Sequence, residues 1–302
     1  MRHIRPPKNQ RKKVSKSLII LNKLYKKKYH RNISTIDLNA DIAVTEYSGH
    51  AEELARASSE YDIIISAGGD GTIAGIINGM NLENQTLGII PLGTSNSLAR
   101  SLGIFSFPQA FQLLLKKEAA NIDLIECRFS TNRGAFKRLM ATSSGIGFIA
   151  RSAAIANRHF KPVGKHCYVL AGLFATFFQR PFHADIGING KTPTHMPFTS
   201  LMVSNIPYAA TVPMFPHADT NDSFLDVVID KANFLTQTMF NISSVSKTYF
   251  YQTKYQDVIP DKVSDITVKL KESASLMLDG EICGSVERVE YRVLPKKLKL
   301  FI

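Results

Sequence analysis

Hydrophobic residues fall into two regimes along the chain, and the change between them lies near Asp123. Before it, short apolar runs rich in β-branched residues alternate with helix-forming stretches. Residues 17–22 (SLIILN), 61–67 (YDIIISA) and 87–92 (LGIIPL) predict buried strands. Residues 51–57 (AEELARA) are good helix formers. Ile73, Ile76, Ile77 and Met80 recur at i, i+3, i+4 and i+7 and predict one apolar helix face. Strands alternating with helices predict a doubly wound unit with a parallel sheet.

After it, residues 129–141, 184–188, 198–204 and 225–229 predict short strands separated by Pro, Asn, Gly and Asp. Ile266, Val268 and Leu270 alternate with polar residues, as do Leu276 and Leu278, and Val289, Tyr291 and Val293. This period of two indicates antiparallel strands with one wet face. One helical piece, over 168–179, interrupts them. The expected fold class is therefore α/β, with an N-terminal doubly wound α/β domain and a mostly antiparallel β, sandwich-like C-terminal domain. The expected boundaries are an arm over 1–16, the α/β domain over 17–126 with 296–302, and the β-rich domain over 127–295.

Charge changes the picture at one end. Of 37 Lys and Arg residues, twelve lie before residue 32, where there is no acid; the other 25 balance the 25 Asp and Glu. The net charge of +12 thus sits in the N-terminal segment, which reads either as a solvated tail or as an arm for polyanions. No nucleic-acid motif follows, so the expected polyanion is an anionic membrane surface rather than nucleic acid. The longest apolar stretch, residues 168–178, falls well short of the ~20 residues that span a bilayer. The N-terminus carries no apolar signal segment. Three widely spaced cysteines suggest a reducing compartment and no zinc site. A cytoplasmic protein, peripheral at the inner face of the membrane, is expected.

The candidate chemistry sits in two glycine loops. SAGGDGTIAGIING (66–79) reads as strand, glycine turn and helix, which gathers backbone N–H groups and a positive helix end at one point. Its glycines are expected to allow close approach, some through positive φ. PLGTSNSLAR (91–100) has the same organisation, and two such loops would lie side by side at the carboxyl edge of the sheet. A late Asp-Gly pair in LMLDGEICG (276–284) reads by itself as a β-turn.

Taken together, GGDGT (68–72), PLGTSN (91–96) and DGE (279–281) resemble the bacterial diacylglycerol kinase and lipid kinase family. That family is related in fold to sphingosine kinases and NAD kinases. TEYSGHAEELARA (45–57), TSSGIGFIA (142–150) and NDSFLDVVI (221–229) extend the resemblance over nearly all of the chain from Ser17 onward. It implies the NAD kinase/diacylglycerol kinase-like fold and an ATP-dependent lipid kinase that transfers the γ-phosphoryl group to a lipid hydroxyl with Mg²⁺. By that resemblance Gly68, Gly69, Gly71, Thr72, Gly93 and Thr94 hold the nucleotide phosphates, with Asn22 and Thr45 also touching ATP. Asp70 serves the metal, with Asp123 near it, and Asp279, assisted by Glu281, is the general base. A structural Mg²⁺ maps onto Asp222 with main-chain oxygens of Asp219 and Phe224, although an acidic loop there also reads as solvated.

The chain departs from the family pattern at four places. Ala74-Gly75 replaces an Asn-Glu pair, Ser97 follows Asn96, Lys23 follows Asn22, and Asn221-Asp222-Ser223 stands where Asp-Asp-Gly is usual. A nucleotide or NAD kinase using the same loops, and a non-catalytic nucleotide- or lipid-binding regulator, are the alternative readings. Strand sharing between β domains would permit a homodimer.

Overall fold

The structure is a computed structural model, and it describes residues 15–34, 39–156, 158, 167–208, 214–215, 217–231, 256–258 and 262–302. Of the arm expected over 1–16, residues 1–14 lie outside them.

The N-terminal half is built from β1 (Ser17–Leu21), α1 (Lys23–Ser34), β2 (Ala40–Val44), α2 (His50–Arg56), β3 (Ile63–Gly68), α3 (Asp70–Gly79), β4 (Thr86–Pro91), α4 (Ser97–Ser101) and α5 (Phe107–Lys116). Its strands run parallel in the order β2-β1-β3-β4. Helices cover both faces, so β1 and β3 are buried along their whole length, which is why they read as unbroken apolar runs. One face buries Ile20, Ile64 and Ile89 under α2 and α3; the other buries Ile19, Ile65 and Ile90. The sequence did not predict α1, which carries a lysine run; among its described side chains Tyr25 and Tyr29, spaced i and i+4, pack against the core.

Gly75 and Gly79 sit where α3 crosses α2. A Cβ on Gly75 would lie 3.1 Å from the Cβ of Ala51 and 3.3 Å from the amide of Glu52; one on Gly79 would collide with the Glu52 carbonyl. The small residues Ala51 and Ala55 face them, so the helices meet almost backbone to backbone. The Ala74-Gly75 departure is thus a packing feature, and it offsets the ~1 kcal/mol that glycine costs inside a helix.

The C-terminal half comprises β5 (Ala119–Thr131), β6 (Gly134–Met140), β7 (Ser143–Gly147), α6 (Phe148–Ile155), α7 (Cys167–Thr176), β8 (Phe182–Ile188), β9 (Thr194–Phe198), β10 (Ser200–Ser204), β11 (Asp226–Asp230), β12 (Gln256–Val258), β13 (Asp265–Leu278) and β14 (Glu281–Phe301). It is antiparallel, in the order β12-β11-β10-β7-β13-β14, with β5-β6 and β8-β9 hairpins attached to β14 and β13. Its core gathers Ile125, Ile146, Val203, Leu276 and Tyr291.

Two predicted strands are each two. Residues 129–141 form the β5-β6 hairpin, turned at Asn132-Arg133, where Gly134 takes φ +126°. Residues 198–204 break at Thr199, whose amide and hydroxyl both bond the Asp230 carbonyl while its own carbonyl accepts the Phe148 amide. Polar residues at single positions redirect the chain there, and an apolar pattern alone does not reveal them.

β14 joins the halves. It pairs with β13 and β5 in the β-rich half and ends beside β4, with Leu300 parallel to Leu87.

Candidate active site at the domain junction

The two glycine loops are laced together. The Leu92 and Gly93 amides both donate to the Gly68 carbonyl, at 2.8 and 3.2 Å. A Cβ on Gly93 would stand 2.5 Å from the Gly69 Cα, and one on Gly68 would collide with the Thr72 side chain. None of Gly68, Gly69, Gly71 or Gly93 has positive φ, contrary to expectation. These glycines are needed because the loops press on one another and on Thr72. The residue with left-handed backbone is Asn96 (φ +47°), which heads α4 and donates from Nδ2 to the Gly93 carbonyl.

Around this pair the carboxyl ends of β1, β2 and β3 converge. Asn22, just past β1, donates from Nδ2 to Thr72 Oγ1 at 3.1 Å and accepts the Leu24 amide. Thr45, just past β2, accepts the Lys23 amide at 3.2 Å. Asp70 opens α3, and its Oδ1 accepts the Leu98 amide at 3.2 Å, which ties the first loop to the helix after the second. Thr94 is exposed on the second loop. The structure therefore brings Asn22, Thr45, Gly68, Gly69, Asp70, Gly71, Thr72, Gly93 and Thr94 to one rim. It lies where ligands bind in open parallel sheets, beside the strand at which the order reverses.

The late DGE reaches the same rim from the other half. Asp279 (φ +47°) and Gly280 (φ +84°) are the central residues of a two-residue turn closing the β13-β14 hairpin, the geometry that favours Asp-Gly. The turn reading and the functional reading thus fall on the same residues. A Cβ on Gly71 would stand 3.1 Å from Glu281 Oε1, so this carboxylate faces the first glycine loop directly. Asp279 is buried, and its Oδ1 accepts both the amide (2.9 Å) and the hydroxyl (2.5 Å) of Thr142. Burial raises its pKa to about 6; the Thr142 bonds oppose this, and the charge of Asp70 adds to it.

Asp123, expected near the phosphate-loop metal, lies at the seam between the halves with both oxygens accepting backbone amides. Asp123 is fully buried, its Oδ2 accepts the Ser223 amide (2.6 Å) and its Oδ1 the Lys296 amide (2.7 Å). It pins the bend of β14, where Lys296 has φ +50°, to the 219–224 loop. In that loop Asp219 accepts the Asn221 amide and Asp222 the Phe224 amide. Burial, followed by the charges of Asp219 and Asp123, raises the Asp222 pKa. Among the described residues no three His, Cys, Asp or Glu side chains converge as metal ligands.

Three residues of the junction carried no sequence signal of their own role. Thr142 holds Asp279; Asn205 joins the Thr142 carbonyl to the Asp123 carbonyl through its amide and Nδ2. Arg138 of β6 bonds Glu52 of α2 across the halves at 2.6 Å. Only their partners in space define them.

The chain matches two family models, the diacylglycerol kinase catalytic domain over residues 20–127 and the YegS C-terminal NAD kinase beta sandwich-like domain over 142–302. It belongs to the diacylglycerol kinase family. A diacylglycerol kinase of Bacillus subtilis is 27% identical over 249 residues, covering 80% of this chain and 78% of that protein. An uncharacterized protein of Synechocystis is 27% identical over 284 residues, and the match spans 89% of this chain and 63% of that longer relative. Among solved structures, a diacylglycerol kinase from Bacillus anthracis superposes with a TM-score of 0.68 at 19% identity, covering 95% and 96% of the two chains. An NAD kinase from Archaeoglobus fulgidus in complex with ATP gives 0.55 at 14% identity, covering 95% and 93%. The diacylglycerol kinase fold, related to that of NAD kinases, is therefore the fold of this chain, and its class of activity is that of a kinase. Among the described residues no helix is long and apolar enough to cross a membrane.

Proposed function

We propose that this kinase transfers the γ-phosphoryl group of ATP to the hydroxyl of a lipid such as diacylglycerol, with Mg²⁺, at a membrane surface. The observation that carries the reading is Asp279. It is a buried carboxyl with a pKa raised to about 6, facing Asp70 and the paired glycine loops from the other half of the molecule.

Phosphoryl transfer needs held phosphates, neutralised charge and a base for the attacking hydroxyl. The amides of Gly69, Gly71 and Thr94 and the hydroxyl of Thr72 supply donors for the phosphates at the mouths of α3 and α4. The oxygens at the junction suit Mg²⁺. Asp70 Oδ2 is outside the Leu98 bond, and Asn96 Oδ1 is buried without a partner among the described residues, between Gly69 and Gly93. Bound there, Mg²⁺ would neutralise phosphate charge and relieve the repulsion between Asp70 and Asp279. A structural Mg²⁺ in the 219–224 loop would rest on Asp222 with main-chain oxygens of Asp219 and Phe224.

Thr142 occupies Oδ1 of Asp279, which leaves Oδ2 to take the proton of the lipid hydroxyl. A base of pKa about 6 is ionised at neutral pH yet more basic than an ordinary aspartate. Glu281, exposed beside Gly71, is within the same rim and orients or assists the exchange.

The test is transfer from radiolabelled ATP, with Mg²⁺, to a panel of lipids beside NAD. Label in a lipid supports the reading. Label in NAD alone, or nucleotide binding without transfer to any acceptor, overturns it.

A further inference from the structure

Two aromatic rings stand on the surface where β2 gives way to α2. Residues Tyr47 to His50 form a β-turn, closed by the His50 amide on the Tyr47 carbonyl at 3.3 Å, with Gly49 at φ +90° in the position that needs glycine. The two rings are stacked, with centroids 4.5 Å apart and planes within 6°. Each is also held at its edge. His50 Nδ1 accepts the Glu46 amide at 3.0 Å, and the Tyr47 hydroxyl donates to Glu53 Oε2 at 2.6 Å. Tyr47 is nevertheless 52% exposed. His50 covers one face of its ring, so the open area is the other face.

This stack adjoins the glycine-loop rim. Tyr47 is two residues past Thr45, at most about 7 Å of chain. Thr45 Oγ1 accepts the Lys23 amide, the Lys23 ammonium bonds the Glu46 carbonyl, and the neighbouring Asn22 bonds Thr72. From the other side Ala51, next to His50, lies against Gly75 in the second turn of α3. A side chain at 75 would hold His50 farther from the mouth of that helix.

We propose that the open face of Tyr47, backed by His50, is the platform on which the purine base of the nucleotide stacks. The inference rests on the ATP reading above and deepens it by naming the residues that take the base end of the donor. Two observations select a base as the occupant. The ring is flat, open on one side and already fixed by His50 and Glu53, so stacking on it costs little further ordering; every base offers a π-face to such a ring. And the acceptor side of the rim is taken, because Asp279 and Glu281 reach the glycine loops from the β-rich half. With its phosphates at the mouths of α3 and α4, a nucleotide is left the opposite side, past Asn22 and Thr45, where Tyr47 stands.

The chain contains no tryptophan, so Tyr47→Trp in the full chain is a single reporter at the platform. Its emission should be quenched by ATP with Mg²⁺, along the same saturation curve that calorimetry gives for ATP binding. Inorganic tripolyphosphate, which offers phosphates without a base, should leave the emission unchanged. Equal quenching by tripolyphosphate, ATP binding without quenching, or no ATP binding at all overturns the proposal. In the second variant, Tyr47→Leu, ATP affinity should fall by roughly five- to a hundredfold, the worth of one stacked base, while tripolyphosphate affinity stays within about twofold. Parallel loss of both ligands would trace the effect to the rim itself and overturn the platform. Tyr47→Phe loses the Glu53 bond and keeps the ring, so it should retain most of the ATP affinity; a variant as weak as Tyr47→Leu would assign the effect to the bond instead. Quenching by ATP without transfer to any lipid would sink the lipid-kinase reading and leave the platform standing. Transfer to lipid with no quenching would do the reverse.

Discussion

Two buried aspartates lie at the seam between the halves, and their surroundings are opposite. Asp123 spends one oxygen on each of two backbone amides, from Ser223 and Lys296. Asp279 accepts the Thr142 amide and hydroxyl on a single oxygen, with the charge of Asp70 near enough to raise its pKa. The first arrangement uses a charge to fasten three segments. The second keeps a carboxyl restrained in position while burial, aided by the charge of Asp70, raises its basicity. Burial alone does not mark a reactive acid; the distribution of donors over its two oxygens does.

The largest test of this contrast is Asp279→Asn, which keeps the shape and both Thr142 bonds but cannot accept a proton. Transfer should fall by about 10² to 10⁴-fold, with nucleotide affinity nearly intact by equilibrium binding. Lost ATP affinity with normal turnover at saturation would contradict the base assignment. The same variant should be more stable than the parent at pH 8. Because the folded pKa is raised from 3.8 to about 6, the buried carboxyl's proton-linked stability is present below pH 4 and lost as pH rises through 6. The gain, on the order of 3 kcal/mol from the size of that shift, should shrink in melting scans between pH 6 and pH 4.

Next comes Asp123→Ala, which strands two partly buried amides. A loss of about 3 kcal/mol in urea denaturation is expected, with turnover per folded molecule almost unchanged. A turnover loss at unchanged stability would place Asp123 in the catalytic apparatus, as the family resemblance implies. Smaller again is Thr142→Val, which removes one of the two donors to Asp279 Oδ1. Turnover should drop by about tenfold, the net worth of one charge-assisted bond, and the acidic limb of the rate profile should move above pH 6. Thr142→Ser should restore both, which a packing role alone would not do. The smallest shift expected is in the metal-free Asp70→Asn protein, where loss of a repelling charge should lower the Asp279 pKa in an NMR titration, apart from any loss of Mg²⁺ binding. An unmoved titration would separate the two carboxylates.

Much of the scaffold was legible because its causes are local. Ser17–Leu21 and Ile63–Gly68 are buried on both faces, so a run of apolar residues marked them, and the glycine turns marked their ends. What escaped depends on residues far apart in sequence. The glycines of the two loops were expected to let a ligand approach closely, some through positive φ; that they also let Gly69 approach Gly93 is visible only once the strands are paired. Gly75 looked like a lost family residue and is a contact with Ala51 of another helix. Thr142 stood in a recognisable segment without any role until its hydroxyl met a residue 137 positions away. The hairpin at Asn132-Arg133 and the break at Thr199 were missed because each is set by one or two polar residues inside an otherwise strand-like run.

β14 has a consequence for how the molecule is made. The edge of β4 is covered by residues near Leu300, whose partner Leu87 is synthesised more than two hundred residues earlier. Through most of translation the parallel sheet therefore carries an open apolar edge, a template for wrong pairing. Closing it needs a contact of very long sequence separation, which slows folding. The strand that begins at the DGE turn is thus also the last stitch of the nucleotide-binding half, so an emerging chain cannot complete its phosphate-loop scaffold before it has made Asp279.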